Sequence, residues 1–436
     1  MRIGINRKSV LSYILLLLCL LNCNSIYSTS RTIDYRFPEL TAAVLAFLVV
    51  IGYTKLKASV VKRWLSYFII YEVAIILLLI NSVSSEKYIS FLVRFAAFIP
   101  LFALCVVAEE KNGSPWYYLI KYRNLVCLYA FISIVMWLLV CQLNILPQTG
   151  VCQSSWGIDY NYPTYFGIFT YRQTQMFLGI KWIRNQGFFA EAPMYNLILL
   201  IAVAIELFIN PLCEKANKSH ILGGVNLKRL IILVVADITT FTTTGMILLI
   251  AMGALKYCLL KKKTSLGLII KWIVGIGVVT AALFIMNTLF LEKSTDGSWI
   301  VRSDDILAGI KTWLQSPVFG MGYDLMEAIE KNYSSFRVYN MGYSSGFFSV
   351  LAQGGILLMA IYIIGLIGFM MYGIRKKSYE LFAFLMVIVI IWVMTIFQNS
   401  FLMMILLAHG YAFLICSVSK SNVRTRKQRV EYEKIA

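Results

Sequence analysis

The chain has 436 residues, of which 59% are hydrophobic and only 14% charged, with a mean hydropathy of +0.75. Forty Lys and Arg stand against 21 Asp and Glu, a formal charge of +19. The cations are spread over short segments between apolar runs, which argues against a nucleic-acid partner and for anionic lipid headgroups. Nine cysteines form no CxxC pair and there are two histidines, His220 and His409, so neither a zinc site nor a Ser-His-Asp triad on an outer surface is expected.

Apolar runs of spanning length recur along the chain and predict an all-α integral membrane protein, a polytopic bundle of about a dozen helices. MRIGINRK followed by an apolar run resembles a signal peptide. A first span, Val10–Tyr27, with its basic flank inside is the preferred reading, because the chain stays in the membrane afterwards. Further spans are expected at Pro38–Tyr53, Trp64–Ile80, Phe91–Ala108, Leu125–Leu143 and Met194–Ile209. Leu230–Leu260 has cations at both ends and a Thr-rich middle, ADITTFTTTGM. A hairpin of two short spans turning at Thr239–Gly245 fits that pattern, as does a re-entrant loop. Leu266–Leu291, Phe347–Tyr372, Leu381–Phe397 and Phe401–Val418 complete a count of twelve.

The positive-inside rule places both termini in the cytoplasm. Residues 1–419 then form one membrane domain, followed by a basic cytoplasmic tail at 420–436. Two long loops, about 144–193 and 292–346, fall on the opposite face. Against the rule, they carry Arg172, Lys181, Arg184, Lys293, Arg302, Lys311, Lys331 and Arg337. A cationic outer face predicts an anionic ligand there. Cys141 and Cys152 flank the start of the first loop and are a candidate disulfide.

In the first loop, Arg172 and Arg184 are interleaved with aromatics and followed by Glu191. Guanidinium stays charged and makes bidentate contacts to phosphate oxygens. Trp182, Phe188 and Phe189 are expected at headgroup level or against a sugar ring. In the second loop, Ser303 reads as a helix N-cap with Asp304 and Asp305 in the first turn. Ile306, Ile310, Trp313 and Leu314 share one face, which predicts a helix lying flat on the bilayer. SPVFGMGYD ends it, with Tyr323 and Asp324 in the turn. Arg94, a few residues inside the fourth span, is either functional or snorkels to the interface.

The order of motifs is specific. R-x-x-G-F-x-x-E-x-P precedes a span, and a TTTG turn follows. Then come Arg302, W-L-x-S-P-x-x-G-x-G and SSGFFSVLAQGG. Over about residues 170–375 this resembles the O-antigen polymerase and ligase superfamily, the Wzy-like and WaaL-like proteins of bacterial surface polysaccharide assembly. The resemblance implies a multi-pass protein of the cytoplasmic membrane that joins glycans carried on undecaprenyl diphosphate. It implies no cofactor, and a chain-length regulator and flippase of the same pathway as partners. It also implies that Arg184 and Arg302 grip the lipid diphosphate. Ligases carry a His-Asn pair where this chain has Ser344 and Ser345, so a polymerase is favoured over a ligase. Glu191 is the first candidate for the general base, with Asp304, Asp305 and Asp324 behind it, and Arg172, Arg94, Asp304, Asp305, Tyr323 and Asp324 are the candidate substrate-binding residues. A flippase or other transporter is the competing class, but internal repeats and midplane charges are not apparent.

This topology predicts that cysteines placed at Ser155 and Ser334 react with an impermeant maleimide in intact cells, whereas one at Ser265 does not. Equal labelling at Ser265 contradicts the orientation.

Overall fold

The computed structural model describes residues 7–30, 36–53, 56, 58–154, 160–177, 180–213, 224–260, 298–337 and 343–432. The expected span Leu266–Leu291 and Lys293 lie outside them. The described chain is mostly helical, and the apolar runs form the helices. α1 is Arg7–Leu21, α2 Phe37–Tyr53 and α3 Ala58–Ser82. α4 runs over Ser85–Lys111, α5 over Tyr117–Gln142 and α6 over Ala192–Cys213. α7 is Leu227–Thr239 and α8 Thr243–Leu259. α9 is Ser298–Gln315, α10 Met326–Glu330, α11 Gly346–Lys376, α12 Tyr379–Met394 and α13 Phe401–Tyr432. Five of these, α3, α4, α5, α6 and α11, are long and apolar enough to cross a membrane.

α6 is the central helix, with 83% of its apolar window buried. Away from the long loops, Arg123 Nη1 pairs with Glu206 Oε2 at 2.5 Å and donates to Asn210 Oδ1 at 2.7 Å, which ties α5 to α6. α11 and α13 approach through glycine. A Cβ at Gly368 meets the Gly410 carbonyl oxygen at 2.0 Å, so only glycine fits this crossing.

Two breaks interrupt the helices among the described residues. The first separates α7 from α8 at Thr240–Thr242, inside the turn the sequence predicts. The two arms have 13 and 17 residues, and thirteen residues of helix rise only about 20 Å. The second lies within α11 at Gly355, where φ is 60° and ψ −159°. That break frees backbone groups, and the segment after α9 satisfies them. Met321 N donates to the Ala352 carbonyl at 2.8 Å and Gly322 N to the Gln353 carbonyl at 3.1 Å. Ile356 N and Leu357 N donate to the Pro317 and Val318 carbonyls at 2.9 and 3.2 Å. Thus S-P-x-x-G-x-G and L-A-Q-G-G, far apart in sequence, are two halves of one backbone lock. Its glycines are required sterically. A Cβ at Gly355 meets Val318 C and O at 2.4 Å, and one at Gly320 meets Gly354 N at 2.4 Å.

The first long loop departs from the all-α expectation. It forms an antiparallel sheet of β1 (Gly150–Ser154), β2 (Tyr160–Tyr165) and β3 (Phe169–Thr170), with Cys152 opposite Tyr162. β4 (Thr174–Phe177) and β5 (Ile180–Ile183) form a separate hairpin. Pro163 in the middle of β2 disguises the strand, since proline lacks a ladder donor. Here its carbonyl accepts from Thr170 Oγ1 at 2.7 Å. The candidate Cys141–Cys152 disulfide does not form: both thiols are free, and Cys152 Sγ donates to the Ile26 carbonyl at 3.3 Å.

Gly355→Ala is expected to destabilise the protein by at least about 2 kcal/mol, through a left-handed backbone and overpacking against Val318. Gly253→Ala, where a Cβ meets nothing within 4 Å, stays within about 1 kcal/mol of wild type. Melting temperatures in detergent compare the two, and equal values contradict the lock.

Candidate functional site

The α7–α8 turn is held from two directions. From the first loop, Arg184 Nε donates to the Thr240 carbonyl at 2.8 Å. Beside it, Asn185 N donates to the Thr239 carbonyl at 2.9 Å and Asn185 Nδ2 to Thr239 Oγ1 at 3.0 Å. Trp182 stacks on Phe241, the turn residue with φ of 49°, at 5.4 Å between centroids. From the second loop, Arg302 Nη1 reaches Thr244 Oγ1 at 3.5 Å. The structure therefore brings Arg184 and Arg302, 118 positions apart in sequence, to one Thr-rich turn at the start of α8. A helix N-terminus flanked by two guanidinium groups is electrostatically suited to an anion. Burial pushes the Arg184 guanidinium down to about 10, with Glu191 partly offsetting it, so Arg184 stays charged at neutral pH. Burial also lowers Arg302, with Asp305 opposing the shift.

Glu191 takes the N-cap position of α6 without a side-chain cap bond, and its charge acts on Arg184. Its neighbour Ala192 N donates instead to Gln173 Oε1 at 3.0 Å. Arg172 lies on the sheet side of the same loop. Its Nη1 donates to Tyr162 Oη at 3.2 Å and its guanidinium sits 5.7 Å from the Tyr162 ring centroid. Phe188 and Phe189 are buried and stack on each other at 4.4 Å, so they pack the bundle instead of facing a headgroup or sugar.

A second group gathers where α3 and α4 meet the lock. Arg94, on a π-helical turn of α4, bonds Ser90 Oγ and donates to Tyr323 Oη at 3.4 Å. Tyr323 N donates to the Ser82 carbonyl at 2.6 Å. Asp324, at φ 58°, pairs with Lys87 at 3.0 Å and donates its backbone N–H to Gln353 Oε1 at 3.1 Å. Arg94, Tyr323 and Asp324 are thus brought together, with Lys87 as a member that sequence reasoning did not single out.

Asp304 and Asp305 form a third group, and here the helix start needs correcting. α9 begins at Ser298, so Ser303 is inside it and donates to the Ile300 carbonyl at 2.9 Å. The two acids do not sit in a first turn open to water. Both are buried, at 3% and 0% exposure, against Arg337. Arg337 Nε lies 3.1 Å from Asp304 Oδ2 and Nη2 2.5 Å from Asp305 Oδ1. Ser334 Oγ donates to Asp304 Oδ1 and Ser344 Oγ to Asp305 Oδ2, each at 2.5 Å. Burial raises the Asp305 carboxyl, while Ser344 and Arg337 oppose that shift. These acids clamp the end of the second loop onto α9. Within α9, Ala308 and Thr312 face inward, whereas Ile300, Leu307 and Leu314 are exposed, Leu314 being on the apolar face that the sequence predicts. An inward Asp pair whose partner Arg337 lies more than thirty positions away has no helical-period signature, so the sequence alone does not join them.

Residues 230–363 match the family model described as O-antigen ligase. That match shows the resemblance to the O-antigen polymerase and ligase superfamily. It covers the hairpin, α9, the lock and the first turns of α11. With the apolar helices, it points to a multi-pass membrane protein of glycan assembly. No curated protein matches the chain. Among the described residues no group of His, Cys, Asp or Glu is placed to hold a metal ion.

Proposed function

We propose that this protein is a polymerase that joins undecaprenyl-diphosphate-linked repeat units into a surface polysaccharide at the outer face of the cytoplasmic membrane. In this reading the bundle has twelve spans with both termini in the cytoplasm. One observation carries the proposal: arginines from both long loops converge on a single turn within the family-matched segment. In the transfer, an acceptor sugar hydroxyl attacks the anomeric carbon of the donor glycan. Negative charge grows on the departing lipid diphosphate. Arg184 and Arg302 stabilise that charge, and preorganised donors of this kind act without nucleotide. The planar fork of arginine suits paired phosphate oxygens in a way an ammonium does not. Glu191 belongs to the same catalytic group and supports the Arg184 charge. We assign substrate contact to Arg172 and to the Arg94–Tyr323–Asp324 group. Asp304 and Asp305 contribute by fixing Arg337 and the end of the second loop.

The ligase-type transfer is the second reading, favoured by the description of the matched family. Ser344 stands where the resemblance expects a ligase histidine, and its hydroxyl is committed to Asp305, which supports the polymerase.

Purified protein given lipid-linked repeat units is expected to extend them without nucleotide or added metal. Arg184→Lys and Arg302→Lys are each expected to lower that rate about 100-fold at normal membrane abundance. In cells, deletion leaves single repeat units on the carrier. Long chains accumulating on the carrier would instead identify a ligase, and wild-type rates in both Lys variants would remove the diphosphate role.

A further inference from the structure

An ionisable residue in an apolar helix needs a reason to be there. Asp237 is such a residue, in the last turn of α7 within LKRLIILVVADIT. It is wholly buried, at 0% exposure. Its Oδ1 accepts from Asn196 Nδ2 at 2.6 Å. Its Oδ2 has no hydrogen-bond partner. A buried carboxyl oxygen without a donor is unfavourable, and the negative end of the helix dipole adds to that. The Asn196 bond does not explain the acid, because an asparagine at 237 has an equivalent acceptor. Fold stability therefore gives no account of a carboxyl here.

Its position does. The Thr240–Thr242 turn covers Asp237: Thr240 Oγ1 donates to the Asp237 backbone carbonyl at 2.7 Å and accepts from Asn196 Nδ2 at 3.4 Å. The Thr240 carbonyl is the one that Arg184 holds. On the other side Gly245 lets α8 close in, since a Cβ there meets Asn196 Nδ2 at 2.1 Å. Asp237 thus lies directly beneath the turn on which both arginines converge. Glu191 is engaged electrostatically with Arg184.

We propose that Asp237 is the general base of the transfer, an assignment that rests on the transferase reading above. Asp237 Oδ2 takes the proton of the acceptor hydroxyl. The acceptor oxygen bonds to the anomeric carbon as the bond from that carbon to the diphosphate oxygen breaks. The electron pair leaves on the diphosphate, and the proton passes from Asp237 to water once product departs. An arriving diphosphate competes for Arg184, frees the Thr240 carbonyl and uncovers the acid.

Asp237→Asn is the decisive variant, because it keeps the acceptor for Asn196 and changes only the unpartnered oxygen. In extension assays its kcat is expected to fall at least about 100-fold. KM for the lipid-linked unit and the melting temperature stay at wild-type values. A kcat within threefold of wild type overturns the assignment. Should the Asn variant melt early, Asp237→Glu decides. Activity well above that of Asp237→Asn supports the base, and equal inactivity in a folded Glu variant overturns it. The two readings fail separately: wild-type protein that extends nothing removes the transferase, whereas equal rates in wild type and Asp237→Asn remove Asp237 alone.

Discussion

Every backbone N–H and C=O freed by a broken helix must find a partner when no water can supply one. The described residues contain two such breaks, and at each the partner comes from a long loop. At Gly355 the freed groups pair with Pro317–Gly322. At Thr240 the carbonyl takes Arg184 Nε, and the Thr239 carbonyl takes Asn185 N. Satisfying the breaks therefore also fixes the loops. The lock at Gly355 sets the end of α9, and α9 carries Arg302 back to Thr244. The same bonds that let the helices stop place two guanidinium groups together.

Charge then divides the loops by task. Arg337 is consumed between Asp304 and Asp305 and acts structurally. Lys87 and Asp324 are an exposed pair, of the sort worth less than about 1 kcal/mol. Arg184 and Arg302 are different. Their contacts include a carbonyl and a hydroxyl of one turn, and in the proposed transfer a phosphate oxygen is a further, charge-assisted acceptor for the same two guanidinium groups. Cation number alone does not mark the site; what each cation already holds does.

Hydropathy made the apolar helices legible, five of which among the described residues are long and apolar enough to cross a membrane. The turn predicted at Thr239–Gly245 contains the observed break, since Thr and Gly interrupt an otherwise uniform run. The motif order made the superfamily legible before any contact was known. Other features were set by distant partners. Strand pairing in residues 150–183 depends on register, and Pro163 in the middle of β2 lacks a ladder donor. Arg337 lies 32 residues from Asp305 and no local pattern joins them. Asp237 was hidden in the run that hydropathy reads as a span, although an acid in that setting was itself the available signal.

The central claim is that Arg184 and Arg302 act on one ligand. The most direct test is the affinity for undecaprenyl diphosphate of purified wild type, Arg184→Lys, Arg302→Lys and the double variant. Two arginines sharing one diphosphate predict coupled losses: each single variant binds at least about tenfold more weakly, and the double falls short of the summed penalties by about 0.5–3 kcal/mol. Strictly additive losses, or no loss in either single variant, contradict the account.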